Sequence, residues 1–457
     1  MPRLFGTDGI RGKAGNFPLD ATTVRNIGYS LASHLGKHIQ DRSPLIVTGR
    51  DPRESGEWIE HALIAGASAA GARCKSAGII TTPGVAFLTR SLPADAGIVI
   101  SASHNPYQDN GIKIFEPSGK KLDDASERLI EAEILQGGNK NAKEPLSLSQ
   151  ELFNNKQKES ELRDLYRGYL AEVIARDLSL EGLSLVIDCA NGAASYFAPA
   201  LFTKLGARVI AINNMPDGRN INRDCGSLYI EGLRQRTVRE KANLGVAFDG
   251  DADRALFVDR TGRLVDGDGT LWVLAKYLHQ HALLNDNTVV ATVMSNIGLE
   301  IALRKLDISL VRTDVGDKYV LEELTRTGAS IGGEQSGHII FPLLSLAGDG
   351  MITTVCLLRA VRDSNTPLEE LTAGFQAYPQ VLINVPVREK RPFEQMPEIA
   401  DLARRTEELL GDSGRLLLRY SGTESLARVM IEGANQTEIN AYAHSLAKVI
   451  ETVMGTP

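Results

Sequence analysis

Short runs of apolar, mostly β-branched residues alternate along this chain with helix-length segments of periodic hydrophobicity. A typical helical segment is EWIEHALIAGASAAGA (57–72), in which apolar residues recur at helical spacing. The strand candidates are PLIVTG (44–49), GIVIS (97–101), LSLVIDC (183–189), RVIAI (208–212), LGVAF (244–248) and TVVATVM (288–294). Strands that are apolar on both faces are typical of parallel sheets covered by helices. The alternation therefore predicts an α/β fold.

The chain is too long for one hydrophobic core. It has 457 residues, and single cores stop growing near about 250–300 residues. Three times, an apolar run meets a loop of small and charged residues and is followed by a second apolar run: GIVI to GIKIF, LGVAF to RALFVD, and ASI to HIIFP. This repeat predicts three related α/β units, each with one functional loop; coincidence among ordinary hairpins is the alternative.

The end of the chain predicts a further, smaller unit. VLINVPV (381–387) begins a new strand-bearing segment. Asn435 precedes a helical pattern and Glu438 follows three residues later, which is the spacing of a capping box. We therefore expect a C-terminal unit that closes with a helix starting at Asn435.

Charge and composition exclude several classes of protein. The net charge is −7, which argues against a nucleic-acid binder with a broad basic surface. No run approaches the ~20 apolar residues of a membrane span, and MPRLFGTDGIRG lacks the apolar core of a signal peptide. The cysteines are dispersed and form no C-x-x-C pair, so neither a zinc knuckle nor a disulfide scaffold is predicted: Cys74, Cys189, Cys225 and Cys356. We expect a protein of the reducing cytoplasm.

The strongest local signal is FDGDADR (248–254). Asp249, Asp251 and Asp253 alternate directly after an apolar strand, and converging carboxylates repel one another unless a hard cation lies between them. An EF-hand would need glycine and glutamate where this chain has Arg254 and Arg260. The loop therefore predicts a Mg²⁺ site that can also accept a phosphate oxygen. A solvated acidic turn is the alternative.

The sequence GIVISASHNP (97–106) takes a buried strand straight into Ser101, Ser103 and His104. A Ser-His-Asp hydrolase is disfavoured, because the G-x-S-x-G elbow is absent around Ser103. A serine that carries a phosphate fits better, because phosphoserine brings about −2 charge to a metal held by carboxylates. The alternative is a capping serine before a turn set by Pro106.

Four further segments hold candidate binding groups. In EQSG, Glu334 and Ser336 can grip adjacent sugar hydroxyls, although a plain turn fits equally well. Arg11 and Lys113 are isolated cations that either stabilise a transferring phosphoryl group or are simply solvated. The string RYSGTESLAR supplies what a non-reacting phosphate needs, with a surface turn as the alternative: Arg419, Ser421, Gly422, Thr423 and Arg428.

These strings together resemble a known family. GTDGIRG, SASHNP, DGDADR, GEQSG and RxSGTE occur in this order across nearly the whole chain, and in this the chain strongly resembles the α-D-phosphohexomutases. Within that family, the chain looks more like the bacterial branch that acts on glucosamine phosphates. That match depends on LFGTDGIRG, ISASHNP, Gln335 in GGEQSGH, DCANGAAS, PDGRNINRDCGS, MSNIGLE and VGDKYV.

The resemblance implies three related α/β domains with mixed sheets and a smaller C-terminal α+β domain around a central cleft. The expected boundaries follow the polar stretches 135–160 and 362–370. They give a phosphoserine-bearing domain (1–152), a metal-binding domain (153–256), a sugar-binding domain (257–368) and a phosphate-binding domain (369–457).

The resemblance also assigns roles to residues. Phosphorylated Ser103 would join Asp249, Asp251 and Asp253 around one Mg²⁺ per subunit. The other catalytic groups would be Arg11, Lys113, Arg254 and His104. The substrate-binding groups would be Glu334, Ser336, Arg419, Ser421, Gly422, Thr423 and Arg428.

The implied reaction is an isomerisation of glucosamine 6-phosphate and glucosamine 1-phosphate that supplies amino-sugar nucleotide and cell-wall precursor synthesis. Phospho-Ser103 gives its phosphoryl group to the sugar, glucosamine 1,6-bisphosphate forms and reorients, and its other phosphate returns to Ser103. The expected partner is a small hexosamine phosphate, with no nucleic acid and no membrane. A homodimer stays open, as does priming of Ser103 by a kinase, by autophosphorylation or by the bisphosphate.

Two positions depart from the family pattern. Ser425 stands where many relatives have proline, and Asp317 stands near a place where some hexomutases have histidine. We therefore carry over no histidine as general acid or base. The rival functions are a phosphomannomutase or phosphoglucomutase of the same family, a Mg²⁺-dependent sugar phosphatase, and a sensor that binds sugar phosphate without turnover.

Overall fold

The computed structural model describes residues 4–6, 8–39, 41–136, 156–421 and 424–455. The chain forms two compact units, one of residues 1–294 with 311–372 and one of residues 295–310 with 373–457. Within the described residues, every helix is too short or too polar to cross a membrane. The polar stretch expected at 135–160 falls largely outside the described residues, between a helix that ends at Leu135 and one that begins at Lys156.

The first sheet has six strands in the order β1-β2-β6-β5-β3-β4, with bounds β1 (Phe5–Gly6), β2 (Gly9–Lys13), β3 (Leu45–Arg50), β4 (Arg73–Ile79), β5 (Ala96–Ile100) and β6 (Asp109–Phe115). β3 is parallel to β4 and β5, while β5 is antiparallel to β6. The helices of this part of the chain are α1 (Ala21–His38), α2 (Gly56–Ala69), α3 (Thr82–Ser91) and α4 (Asp124–Leu135). The buried faces of α1, α2 and α4 form one apolar core with the sheet.

The second sheet has five strands in the order β11-β10-β9-β7-β8, with bounds β7 (Ser184–Asp188), β8 (Arg208–Ile212), β9 (Leu244–Phe248), β10 (Ala255–Asp259) and β11 (Leu264–Val265). β7 is parallel to β8 and β9, and β9 is antiparallel to β10. The helices are α5 (Lys156–Gly168), α6 (Ala198–Lys204) and α7 (Glu231–Arg239). This sheet brings the predicted metal loop between β9 and β10.

The third sheet has four strands in the order β13-β12-β14-β15, with bounds β12 (Thr288–Thr292), β13 (Ser309–Thr313), β14 (Ile331–Gly333) and β15 (Ile339–Ile340). β12 is parallel to β14, and β14 is antiparallel to β15. The helices are α8 (Gly267–Gln280), α9 (Ile297–Arg304), α10 (Asp317–Thr327), α11 (Gly350–Ser364) and α12 (Leu368–Leu371). Of these, α9 belongs to the second compact unit.

The rest of the second unit is an α+β arrangement. Three antiparallel strands run in the order β16-β18-β17, with bounds β16 (Gln380–Pro386), β17 (Gly414–Tyr420) and β18 (Leu426–Gly433), and the helices are α13 (Pro397–Leu410) and α14 (Gln436–Met454). Asn435 is the N-cap of α14, as predicted, and accepts from the backbone N–H groups of Thr437 and Glu438 at 3.0 and 3.4 Å.

The three repeated apolar pairs of the sequence are antiparallel strand pairs, β5 with β6, β9 with β10 and β14 with β15. The prediction of parallel sheets is therefore right for only part of each sheet. A short loop can join antiparallel neighbours, whereas a parallel pair needs a long crossover. The α/β fold class with mixed sheets and a smaller C-terminal domain is confirmed.

Candidate active site

Polar groups gather where three of these strands end. The segment after β5 carries Ser103, the loop between β9 and β10 carries the three aspartates, and the loop between β14 and β15 carries Glu334 and Ser336. All three segments belong to the first compact unit. Loops at the carboxyl ends of strands are where α/β sheets place their ligands.

Ser103 is held in an uncommon backbone conformation. Its φ is +52° and its side chain is almost fully buried. Its Oγ donates to Asp249 Oδ2 at 2.6 Å, and its N–H donates to Ser101 Oγ at 2.9 Å. A left-handed conformation costs a non-glycine residue about 1–2 kcal/mol, so it persists only where the surroundings enforce it.

Two side chains that the sequence did not single out enforce that conformation. Arg53 Nη2 donates to the carbonyls of Ser103 and Asn105, both at 2.9 Å. Asn222 Nδ2 donates to the same two carbonyls at 2.8 and 3.1 Å. Arg53 is completely buried against Asp51, with Nε 2.9 Å from Oδ2. The serine loop is thus fixed by Arg53, which lies in the part of the chain that forms the first sheet, and by Asn222, which lies in the part that forms the second sheet.

The three aspartates form a buried carboxylate cluster whose ligand oxygens all lie within 4.8 Å of one another. Thr82 Oγ1 donates to Asp251 Oδ2 at 2.5 Å, and Lys113 Nζ lies 3.2 Å from Oδ2 of both Asp251 and Asp253. The Oδ1 atoms of Asp251 and Asp253 are buried without a hydrogen-bond partner among the described residues. Orphaned buried carboxylate oxygens are costly, and hard oxygen ligands of this kind suit Mg²⁺. The cluster therefore fits a divalent cation.

The electrostatics of the cluster agree with this. Burial, followed by repulsion from Asp253 and Asp251, raises the pKa of Asp249 well above its usual range. Burial opposes ionisation of Asp253 as well, but Lys113 and other cations hold the pKa of that carboxyl well below its usual range. One ammonium thus neutralises only part of the charge of three carboxylates.

Three segments outside this metal loop donate backbone hydrogen bonds to it. The amide of Thr82 donates to Asp251 O at 3.0 Å, and the amide of Ala193 donates to Gly250 O at 2.8 Å. The amide of Gly350, at the start of α11, donates to Ala252 O at 3.0 Å. The metal loop is therefore fixed relative to the serine loop and to the loop of Glu334.

Cations line a cavity beside Ser103. The cavity has a volume of about 390 Å³ and is lined by Leu4, Gly6, Asp8, Gly9, Arg11, His104 and Arg254. His104 Nδ1 lies 3.4 Å from Ser103 Oγ and 3.2 Å from Arg254 Nη1. Burial, followed by the charges of Arg254 and Arg11, lowers the pKa of His104 to about 4, so the imidazole is neutral near pH 7. Two guanidinium groups facing one cavity suit a phosphate.

A chain of alternating charges, partly missed by the sequence interpretation, runs from this cavity to the loop of Glu334. Lys121 Nζ bridges Asp8 and Asp317. His338 Nε2 lies 3.6 Å from Asp317 Oδ2, and its Nδ1 lies 3.7 Å from Asp253 Oδ1. Burial opposes protonation of His338, yet these carboxylates raise its pKa above the usual value. The structure thus gives Asp317 a lysine and a histidine as neighbours, and the signal for His338 was its place directly after EQSG.

The loop between β14 and β15 brings the two expected sugar-contacting side chains into this region. Burial opposes the charge of Arg254, but Asp253, Asp249 and, to a smaller extent, Glu334 raise the pKa of this guanidinium above its usual range. Ser336 Oγ is buried without a hydrogen-bond partner among the described residues. A carboxylate and an unpartnered hydroxyl are suitable groups for sugar hydroxyls.

In the second unit, two arginines lie side by side. Arg419 and Arg428 are cross-strand partners of β17 and β18, and burial followed by the charge of Arg428 lowers the pKa of Arg419. Ser421 Oγ lies 3.5 Å from Arg428 Nη2. Lys390 Nζ, which the sequence interpretation missed, donates to Ser421 O at 2.6 Å. This cationic cluster suits an anion; the expected Gly422 and Thr423 lie outside the described residues.

Asp349, at the start of α11 beside the metal loop, predicts a pH dependence of stability. It accepts from Tyr166 Oη at 2.7 Å and from the amide of Met351 at 2.8 Å, and burial raises its pKa to about 6. Because the folded-state pKa exceeds the unfolded one, its contribution is complete below the unfolded pKa and is lost as pH rises through the folded pKa. The loss is about 3 kcal/mol in all.

We expect Asp349→Asn to remove this slope, because an amide does not titrate; its oxygen can still accept from the amide of Met351, and its NH2 group can donate to Tyr166 Oη. The measurement is urea unfolding between about pH 5 and about pH 7.5, where roughly half of the loss falls. Asp363→Asn is the matched control, since Asp363 pairs with Tyr277 at 2.5 Å in the exposed last turn of the same helix. Equal pH slopes for Asp349→Asn and the unmodified protein would contradict the prediction.

Comparison with known proteins places this geometry in a family. Four consecutive models of phosphoglucomutase/phosphomannomutase match the chain: alpha/beta/alpha domain I at 2–141, domain II at 166–262, domain III at 266–378 and the C-terminal domain at 382–449. The chain belongs to the phosphoglucomutase/phosphomannomutase family.

Two relatives match the chain over its full length. The phosphoglucosamine mutase of Solibacter usitatus is 49% identical over 99% of both chains, and that of Syntrophus aciditrophicus is 44% identical over 100% of both. A phosphoglucomutase/phosphomannomutase family protein of Burkholderia thailandensis has the same fold, with a TM-score of 0.78, 22% identity and coverage of 98% and 97%. An Aspergillus fumigatus N-acetylphosphoglucosamine mutase, solved with GlcNAc-6P and magnesium, gives a TM-score of 0.65 at 18% identity over 99% and 96%.

Proposed function

We propose that this chain is a phosphoglucosamine mutase, an isomerase that interconverts glucosamine 6-phosphate and glucosamine 1-phosphate. The observation that carries the proposal is the buried Ser103 Oγ, held in a strained turn 2.6 Å from Asp249 Oδ2 and beside a cationic cavity. The amino sugar is supported by the names of the full-length relatives.

In this proposal Ser103 carries a phosphoryl group between turnovers. A free sugar hydroxyl attacks the phosphorus atom, the bond from phosphorus to Ser103 Oγ breaks, and glucosamine 1,6-bisphosphate results. The bisphosphate reorients and Ser103 Oγ attacks its other phosphate, so that one phosphoryl group has left the enzyme and one has returned. No water is consumed, so the net change is an isomerisation.

The residues around Ser103 differ in the charge that they contribute to the reaction. Asp249, Asp251 and Asp253, with the Ser103 phosphate, would hold Mg²⁺, which when bound supplies positive charge against phosphoryl oxygens. Arg254 and Arg11 face the cavity beside Ser103 and neutralise charge on the transferring group. Lys113 balances two of the carboxylates, and neutral His104 contacts Ser103 Oγ without adding charge.

The remaining groups bind the parts of the substrate that do not react. Glu334 and Ser336 orient the sugar hydroxyls, and positioning of this kind accounts for much of the rate of phosphoryl transfer. Within the second unit, the phosphate that is not being transferred is held by Arg419, Ser421, Gly422, Thr423 and Arg428. We propose the divisions 1–152, 153–256, 257–368 and 369–457 as the corresponding domains.

Location, assembly and priming belong to the proposal as well. The four cysteines are free thiols, which supports a reducing cytoplasm. A homodimer and a kinase, autophosphorylation or the bisphosphate as the source of the first phosphoryl group complete the hypothesis.

The test combines intact-mass measurement with ³¹P NMR of purified protein, Mg²⁺ and glucosamine 6-phosphate. We expect phosphate on Ser103 and the appearance of the 1-phosphate. Turnover of glucose or mannose phosphates without turnover of the amino sugar would overturn the substrate and keep the mechanism. Inorganic phosphate as the sole product would overturn the mutase in favour of a phosphatase.

Asn222 gives a prediction for this reaction. Asn222→Ala removes both hydrogen bonds from the metal-binding domain to the serine loop, while Arg53 still holds the loop. We expect kcat to fall about 100-fold, because small misplacements of a reacting group cost that much, with KM nearly unchanged. Asn220→Ala is the control, since the Asn220 side chain makes its hydrogen bonds within its own loop, with the amide of Asp217 and the carbonyl of Met215. Equal kcat values for the two variants would contradict the role of Asn222.

A further inference from the structure

The loop that presents Glu334 and Ser336 joins two short strands, β14 and β15. β14 is three residues long and β15 two, and only Gly332 with Ile340 and Gly333 with Ile339 are paired. β14 is held on its other side by β12, with which it pairs in parallel, and the amides of Glu334 and Gly337 close the turn by donating to His338 O and Glu334 O, both at 3.0 Å. These bonds fix the base of the turn, and contacts from neighbouring elements hold its two ends.

One such contact comes from the metal loop. Gly337 has φ +91°, a value that favours glycine, and its carbonyl accepts from the amide of Ala255 at 3.2 Å. Ala255 directly follows Arg254, so this hydrogen bond joins the sugar loop to the end of the metal loop. This hydrogen bond holds the C-terminal end of the turn, whereas Glu334 and Gln335 lie at its N-terminal end.

The N-terminal end of the turn is held by the start of α8. The amide of Gly267 donates to Gln335 O at 2.9 Å, and Gln335 Nε2 donates to Asp266 Oδ2 at 3.3 Å. Asp266 is the N-cap of α8, and its Oδ1 accepts from the amide of Gly269 at 3.0 Å. The Asp266 carboxylate, which is fixed at the N-terminus of α8, thus accepts a hydrogen bond from Gln335. Gln335 lies between Glu334 and Ser336 in the sequence.

The backbone approach at this contact is very close. A Cβ atom added to Gly267 would lie 2.0 Å from Glu334 O and 2.9 Å from Gln335 O. Every side chain larger than hydrogen at position 267 would therefore displace the sugar loop. The contact between Asp266 and Gln335 is part of a tight junction rather than a chance surface pair.

We propose that Asp266 and Gln335 are positioning residues, a clamp that fixes Glu334 and Ser336 for the sugar. This inference rests on the proposed function, because it assigns the clamp to the sugar-binding loop of that reaction. A displaced loop weakens binding of the sugar phosphate, while phosphate on Ser103 and the metal cluster are unaffected.

Exchange of the donor and the acceptor tests the contact directly. Gln335→Glu sets two carboxylates against each other, and we expect KM for the sugar phosphate to rise about tenfold. Asp266→Asn alone is expected to leave KM nearly unchanged. The side-chain amide of Gln335 can rotate by 180°, so that its Oε1 accepts from the new amide N–H at position 266. In the double variant the amide introduced at position 266 donates to the carboxylate introduced at position 335, while the amide oxygen still caps α8. KM should therefore return to within about twofold of the unmodified enzyme.

Two further variants separate the clamp from general effects. Gly267→Ala displaces the same loop without altering either clamp side chain and is expected to raise KM as Gln335→Glu does. Gln235→Glu is the matched control, since Gln235 donates to Glu231 at 2.9 Å on the exposed face of α7 and its change also sets two carboxylates together. We expect this control to leave KM unchanged.

The experiment measures KM, kcat, phosphate on Ser103 and, by calorimetry, the affinity for the 6-phosphates of glucosamine, glucose and mannose. The sugar phosphate that the unmodified enzyme binds most tightly is used throughout, so an error in the proposed amino sugar changes the ligand and leaves the clamp testable. Weak binding by Gln335→Glu that Asp266→Asn restores would support the clamp. Unchanged affinity in Gln335→Glu, or failure of the second substitution to restore it, would overturn it.

Discussion

Ser103→Ala is expected to abolish turnover, with a loss on the order of 10⁶-fold in kcat, the scale of removing a nucleophile. The variant loses the atom that both gives up and recovers the phosphoryl group, while Asp249 and the cations around it stay in place. Intact mass should show no added phosphoryl group. Calorimetry should show sugar-phosphate binding that is close to that of the unphosphorylated enzyme.

A glycine variant at the same position separates strain from chemistry. Both Ser103→Ala and Ser103→Gly lack the hydroxyl, but only glycine adopts φ +52° without a steric cost. We expect the glycine variant to be about 1 kcal/mol more stable than the alanine variant, the relief of the left-handed conformation less the extra entropy of glycine when unfolded. Urea unfolding measures this difference. Residual turnover or a phosphoryl group in either variant would show that another residue is the acceptor.

The sequence predicted the strands that are buried on both faces. LGVAF coincides with β9 to the residue, and all five of its residues are buried. RVIAI coincides with β8, a half-exposed edge strand that was predicted because its last four residues are all apolar. β4 was not predicted, since it lies at the edge of the first sheet and its first four residues alternate between exposed and half-buried. An edge strand of this kind reads as a polar segment.

The residues of the candidate site also fall into those that the sequence predicted and those that it did not. Ser103 and the three aspartates lie in contiguous motifs whose side chains meet through local geometry. Arg53 and Asn222 are separated from Ser103 by 50 and 119 residues, and each is an ordinary polar residue until the fold brings it to the Ser103 carbonyl. Contacts of this range depend on how the sheets are placed, which no local pattern records.

His338 illustrates the intermediate case. It stands directly after the EQSG loop, so its position in the sequence was conspicuous. The electrostatic environment of its imidazole depends on Asp317 and Asp253, which lie 3.6 and 3.7 Å from its ring nitrogens. These two residues come from two other segments of the chain. The sequence placed the residue near the site, and the packing of α10 and the metal loop gave it neighbours.

Asp251→Asn is expected to remove the binding of Mg²⁺ and to lower kcat about 10³-fold, the scale of losing one electrostatic contact to a transition state. Asp251 Oδ2 is occupied by Thr82 and Lys113, and its Oδ1 is buried without a hydrogen-bond partner among the described residues. An asparagine oxygen can accept from Thr82 and Lys113, which leaves an amide nitrogen at the free position. An amide nitrogen is not a ligand for a hard cation.

The stability of the two proteins should respond to Mg²⁺ in different ways. In the unmodified protein, Mg²⁺ at about 100 times its dissociation constant should add about 2.7 kcal/mol to the free energy of unfolding, and EDTA should remove that gain. Asp251→Asn should gain nothing from Mg²⁺. In EDTA it should be at least as stable as the unmodified protein, because one of three mutually repelling buried carboxylates is gone.

A second buried aspartate provides the control for this prediction. Asp188 ends β7 in the same sheet and accepts from the amides of Ala190 and Gly226 at 2.9 and 3.0 Å, so Asp188→Asn alters a buried carboxylate outside the cluster. We expect this variant to keep its affinity for Mg²⁺ in calorimetry. Equal Mg²⁺ affinity in Asp251→Asn and Asp188→Asn would mean that the cation is held elsewhere, and the carboxylate cluster would then owe its charge balance to Lys113, Arg254 and His338.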